Sequence, residues 1–164
     1  MKAAFALVLF LAMAAADTPT VVSVRTSQVT EVSPGQSLGT QISVSVAKGY
    51  HLQANPASED YLIATRLELK PVNAISIGKL RYPPGTPYRL SGADKDLKTY
   101  EGDFDIGFSL KVSQSASRGE HVLQGRLHYQ ACNSKVCLAP TSVPITLTVA
   151  VLPAKAKPPL TPKR

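Results

Sequence analysis

Apolar and polar positions alternate along much of the chain. Leu38, Thr40, Ile42, Val44 and Val46 alternate with Gly39, Gln41, Ser43, Ser45 and Ala47. Phe104, Ile106, Phe108, Leu110 and Val112 repeat the pattern, as do Val143, Ile145, Leu147, Val149 and Val151. A period of two puts every second side chain on one face, so each stretch predicts a strand with a single apolar face. Shorter candidates are Val21–Thr26, Ala64–Leu69, Ile75–Leu80 and His121–Gln130. Ser33-Pro34-Gly35, Pro83-Pro84-Gly85 and Ser117-Arg118-Gly119 supply turn chemistry between them. No segment sustains a helical period. About seven short strands separated by turns predict an all-β chain folded as a two-sheet antiparallel sandwich.

Two stretches break the pattern. Residues 55–61 hold Pro56 and a polar Ser58-Glu59-Asp60 run and read as a loop. Residues 86–101 read as a longer loop, of a length that is uncommon in compact domains unless functional.

The two ends differ from the body. Lys2, an apolar run from Ala3 to Met13 and Ala14-Ala15-Ala16 match the order of a cleaved export signal, so residues 1–16 are expected to be removed before Asp17. The mature domain is expected over residues 17–152. Residues 153–164 hold four prolines and four basic residues and read as a mobile tail.

Charge narrows the function classes. The formal charge is +7, but residues 17–152 carry 13 Lys and Arg against 11 Asp and Glu, a net of +2. A nucleic-acid binder would show its basic surface on the folded part, so no nucleic-acid partner is expected. No apolar run reaches the roughly 18–20 residues of a spanning helix. No phosphate loop, nucleophile elbow or H-E-x-x-H motif is present, and no cofactor is expected.

The chemistry concentrates in Cys132 and Cys137, within Tyr129-Gln130-Ala131-Cys132-Asn133-Ser134-Lys135-Val136-Cys137-Leu138-Ala139-Pro140. The pair falls at the end of a hairpin between two predicted strands, where the two residues can approach bonding range. Export would bring them into an oxidising compartment. Closing a six-residue ring is worth roughly 2 kcal/mol in the loop-entropy model, low for a crosslink. Lys135 inside the ring would favour a nearby thiolate. Spacing alone serves redox exchange and a structural staple equally well. Metal binding is weaker, because His121 and His128 differ by seven positions and fall on opposite faces of a regular strand. Both read as solvated strand histidines, and no metal is expected. Asp103 and Asp105 read as water-facing strand positions.

The order of several motifs resembles the N-terminal periplasmic domain of the thiol:disulfide interchange protein DsbD. The Tyr-Gln-x-Cys motif at 129–132 and Cys137-Leu138-Ala139-Pro140 carry most of the resemblance. Lys48-Gly49-Tyr50-His51-Leu52, Arg81-Tyr82-Pro83-Pro84-Gly85 and Tyr100-Glu101-Gly102 follow in the same order. The resemblance implies an immunoglobulin-like sandwich and a redox-active Cys132–Cys137 pair, with Tyr129 and Lys135 supporting it. It implies a cap loop over the cysteines, onto which Tyr100, Glu101 and Gly102 map. The implied partners are thioredoxin-like proteins or domains, and periplasmic disulfide isomerases or cytochrome maturation factors. Full-length members continue into a membrane electron-transfer domain. For this sequence a membrane electron donor on a separate chain is therefore expected. The alternative is a non-catalytic Ig-like adaptor whose disulfide is structural.

Overall fold

The computed structural model describes residues 20–26, 30–91 and 94–153. The predicted signal (1–16) and all of the tail but Pro153 lie outside the described residues. Twelve strands are present among the described residues: β1 (Val22–Thr26), β2 (Thr30–Val32), β3 (Ser37–Val46), β4 (His51–Gln53), β5 (Arg66–Leu69), β6 (Ile75–Ile77), β7 (Thr86–Tyr88), β8 (Leu97–Tyr100), β9 (Asp103–Val112), β10 (Gly119–Tyr129), β11 (Ala131–Cys132) and β12 (Thr141–Val151).

Two four-stranded sheets form an immunoglobulin-like sandwich, in the orders β1-β3-β9-β6 and β2-β12-β10-β5. The predicted alternation produces it directly. Ile42, Val44, Ile106, Phe108 and Leu110 point inward from the first sheet, and Leu123, Leu127, Leu147 and Val149 from the second, all fully buried. Each such side chain contributes about 1.5–3 kcal/mol relative to exposure. On the outer face Gln41 and Ser43 donate to Asp105, and Ser45 donates to Asp103. Those carboxylates sit at exposed strand positions, as the alternation predicts.

The structure departs from the sequence expectation in three places. The β2–β12 pairing is parallel, so the sandwich is not purely antiparallel. His121 is buried rather than solvated: it shares the inward parity of Leu123 and Leu127, and its Nε2 lies 2.8 Å from the Ser117 carbonyl. The third departure is a third sheet, in the order β11-β4-β8-β7. Much of the expected loop at 86–101 belongs to it, because β7 and β8 pair antiparallel across it.

Tight turns and one close approach hold the third sheet in place. The chain leaves β3 through a turn in which the Tyr50 amide donates to the Ala47 carbonyl and Gly49 takes φ +83°. That left-handed conformation favours glycine. Ahead of β7, a Cβ at Gly85 would lie 2.7 Å from the Ala54 Cβ and 2.9 Å from the Lys98 Cβ. Gly85→Ala is therefore expected to wedge β7 away from its neighbours and cost about 1–3 kcal/mol, the usual range for overpacking. Denaturant unfolding of the variant checks this. An unchanged midpoint would mean that the sheet yields freely.

Candidate redox site

Cys132 and Cys137 are joined in a disulfide across a four-residue turn. The turn is closed by more than the sulfurs. The Asn133 amide donates to the Val136 carbonyl at 2.9 Å, and the Leu138 amide to the Ala131 carbonyl at 2.8 Å. Asn133 Oδ1 accepts from the Lys135 and Val136 amides. Asparagine favours this side-chain closure of a turn. The ring therefore has a backbone scaffold that does not depend on the S–S bond.

The two sulfur-bearing residues differ in access. Cys132 is 2% exposed, whereas Cys137 is half-buried between exposed Val136 and Leu138. The Gln130 side chain ties Leu138 to the loop before β5: its Nε2 donates to the Leu138 carbonyl and its Oε1 accepts from the Ile63 amide. Exposed Ile63 thereby joins the apolar rim near the ring.

Register defines what shares a face with Cys132. Cys132 pairs with His51, and Ala131 pairs with Leu52. Leu52 in turn pairs with Tyr100, and Gln53 with Thr99. Strand alternation therefore puts Cys132, His51, Gln53 and Thr99 on one face. Ala131, Leu52 and Tyr100 lie on the other face, within the hydrophobic core. On the cysteine face the Tyr88 ring stacks on His51 with centroids 3.7 Å apart. Glu101 Oε2 lies 3.3 Å from His51 Nδ1. Gln53 is fully buried, and its Nε2 donates to Cys132 Sγ at 3.6 Å. Among the described residues no group of three or more His, Cys, Asp or Glu could hold a metal ion.

A family model described as "Thiol:disulfide interchange protein DsbD, N-terminal" matches residues 18–148. The chain belongs to the DsbD N-terminal domain family. The fold agrees. The N-terminal periplasmic domain of ScsB from Proteus mirabilis superposes with a TM-score of 0.58 at 16% identity, over 82% of this chain. The chain spans 49% of that ScsB chain. The DsbD N-terminal domain of Neisseria meningitidis, in its reduced form, gives a TM-score of 0.44 at 15% identity, over 68% of this chain and 78% of its own. Comparison with curated proteins finds no match.

Against the resemblance to the DsbD N-terminal domain, the expected cap needs correction. Tyr100 does not lie in a loop. It occupies β8, is 3% exposed, and stacks on Phe104 with centroids 4.4 Å apart. Its hydroxyl accepts from the Asn55 amide and donates to the Pro83 carbonyl, both at 3.0 Å. The register turns this ring toward the core, away from the Cys132 face. Glu101 and Gly102 form the exposed turn into β9, with Gly102 at φ +61°. Of the three, only Glu101 reaches a residue on the cysteine face. Tyr129 is a core residue of β10, and Lys135 is exposed within the ring. Gln53, which no motif included, contacts the Cys132 sulfur, and His51, at the edge of the Lys48–Leu52 motif, pairs with Cys132 across β4 and β11. The available signal was the spacing of His51 and Gln53, which places both on one strand face.

Burial pushes the hydroxyls of Tyr82, Tyr100 and Tyr129 above the usual tyrosine value of 10.0. The unfolded chain then loses these protons first as pH rises. Stability is fully present below pH 10 and falls as pH climbs from there toward the raised folded values. Denaturant midpoints at intervals between pH 8 and 11 should show that decline, flattening in Tyr100→Phe. A flat profile in the native protein would contradict it.

Proposed function

We propose that this protein is a periplasmic thiol–disulfide exchange module that passes reducing equivalents through Cys132 and Cys137. The observation that carries the reading is the asymmetry of the pair: Cys137 is half-buried between exposed Val136 and Leu138, while Cys132 is buried. An incoming thiolate of a thioredoxin-like protein attacks Cys137 Sγ. The S–S bond breaks, Cys132 leaves as a thiolate, and a mixed disulfide forms at Cys137. The donor's second thiol resolves it, leaving the donor oxidised and the pair reduced by two electrons and two protons. The reverse sequence, in which the Cys137 thiolate attacks a partner's disulfide and Cys132 resolves the mixed disulfide, reduces the partner and re-forms the Cys132–Cys137 bond. Disulfide isomerases and cytochrome maturation factors, which need reduced thiols, are the partner class the family suggests.

Exposed Val136 and Leu138 flank Cys137 in the chain and offer an apolar contact there, while His51, which carries the stacked Tyr88 ring, pairs with Cys132. Export through removal of residues 1–16 belongs to the same proposal, as does the division into a domain at 17–152 and a tail at 153–164.

Mixing the oxidised protein with a reduced thioredoxin-like protein tests the reading. Free thiols are counted by alkylation while circular dichroism follows the fold. Rapid reduction of a folded protein supports exchange. Reduction only after unfolding would make the disulfide a staple on an adaptor module.

A further inference from the structure

Three buried side-chain atoms make no hydrogen bond of good geometry among the described residues: Gln53 Oε1, Thr99 Oγ1 and His51 Nδ1, the last of which still has the Glu101 carboxylate 3.3 Å away. All three belong to the cysteine face of the third sheet. A buried polar atom left unpaired costs about 1–3 kcal/mol, and native structures seldom keep one without a reason. Gln53 is the informative case. Its amide is wholly enclosed, and one end is already engaged with the Cys132 sulfur. Its other end accepts nothing, although Thr99 pairs with Gln53 across β4 and β8.

A disulfide sulfur has no hydrogen and accepts weakly. A thiol has an S–H to give, and a thiolate accepts strongly. Reduction therefore brings new hydrogen-bonding capacity to this enclosed pocket, and Gln53 is the neighbour able to use both forms. Burial also opposes a charged sulfur unless a donor faces it.

We propose that Gln53 sets the redox poise of the pair by stabilising the reduced forms of the Cys132 sulfur. Its Nε2–H groups serve the leaving thiolate, and its Oε1 takes up the S–H of the thiol. The assignment rests on the exchange reading above.

With glutathione as reductant the step balances. One glutathione thiolate attacks Cys137 Sγ, and Cys132 leaves as a thiolate held by Gln53. A second glutathione thiolate attacks the glutathione sulfur of the mixed disulfide and releases Cys137 as a thiolate. Two electrons pass from the glutathiones to the pair, oxidised glutathione is formed, and each cysteine sulfur takes one proton from the medium.

The test compares the native protein, Gln53→Met and Gln53→Glu in defined mixtures of reduced and oxidised glutathione. Acid quenching and mass measurement give equilibrium and rate, and circular dichroism confirms the fold. Gln53→Met keeps the volume and removes both hydrogen-bonding ends. It should lower the equilibrium constant for the dithiol about tenfold, equivalent to about 30 mV. Gln53→Glu keeps an acceptor but loses the donors and brings a carboxylate to the sulfur, so glutathione should reduce it at least about threefold more slowly. A purely structural Gln53 would weaken both oxidation states alike and leave the equilibrium unmoved. If glutathione reduces the native pair but Gln53→Met stays within twofold of it, the Gln53 assignment fails and exchange stands. If Gln53→Met does not fold, an unchanged rate in Gln53→Glu overturns the assignment. If neither glutathione nor a reduced thioredoxin-like protein can reduce the native pair in the folded protein, both fail together.

Discussion

Tyr100→Ala is expected to cost the fold about 3–5 kcal/mol, the range for truncating a large buried aromatic side chain. The ring is nearly inaccessible and packs on Phe104 within the core. Its hydroxyl also joins two segments, taking the Asn55 amide proton and giving its own to Pro83. Truncation empties the ring's volume and leaves both backbone groups without that partner. Tyr100→Phe isolates the second effect and should cost about 1–3 kcal/mol. Denaturant unfolding of the three proteins separates the contributions. A loop-borne cap would behave otherwise, since its removal would leave stability near native and alter only access to the disulfide. A Tyr100→Ala protein within about 0.5 kcal/mol of native, the range of an ordinary surface change, would contradict the core assignment.

Cys137→Ala should abolish exchange, leaving partner reduction at the background of the mixture. Cys132→Ala should instead accumulate a stable mixed disulfide. The difference follows from access. In Cys137→Ala the remaining sulfur belongs to Cys132, enclosed between β4 and the ring and 2% exposed. An attacking thiol needs a path to its sulfur, so this variant has little reactivity. In Cys132→Ala the remaining thiol is the half-buried one beside Val136 and Leu138. It still meets a partner's disulfide, and the mixed disulfide persists when the partner's own resolving cysteine is replaced by alanine and its remaining sulfur is presented as a mixed disulfide with a small thiol, which leaves as the thiolate. Non-reducing electrophoresis with a thioredoxin-like protein prepared in that way, followed by peptide mapping, reads both outcomes. Equal trapping in the two variants would remove the asymmetry on which the mechanism depends.

The sandwich was legible because its long strands keep one wet face and one dry face. Ile42, Val44 and Val46 alternate with Gln41, Ser43 and Ser45, and the structure buries the first set. His121 was misread although its parity with Leu123 and Leu127 already pointed inward. The third sheet was not legible. Its strands are two to four residues long, too short for a period to show. Leu52 and Gln53 are buried in succession, so β4 has no polar face to alternate. Pro87 lies within β7, and proline argues against a strand except at an edge, which is where β7 sits.

The cysteines were visible as a motif, but their surroundings depend on register. A glutamine reads as a surface residue until Cys132 is paired with His51 and Gln53 falls beside the sulfur. Tyr100 illustrates the same limit. The motif that resembles the family's cap is present, yet the pairing of Tyr100 with Leu52 turns its ring into the core.

The reduction potential of the Cys132–Cys137 pair in the folded protein tests the central claim most directly. Equilibration against a thiol–disulfide buffer, with the fold monitored throughout, supplies the value. An exchange module should lie above about −300 mV, in the range spanned by thioredoxin and the disulfide isomerases at roughly −270 to −180 mV. A potential below about −300 mV would place the bond among structural disulfides and contradict the proposed function.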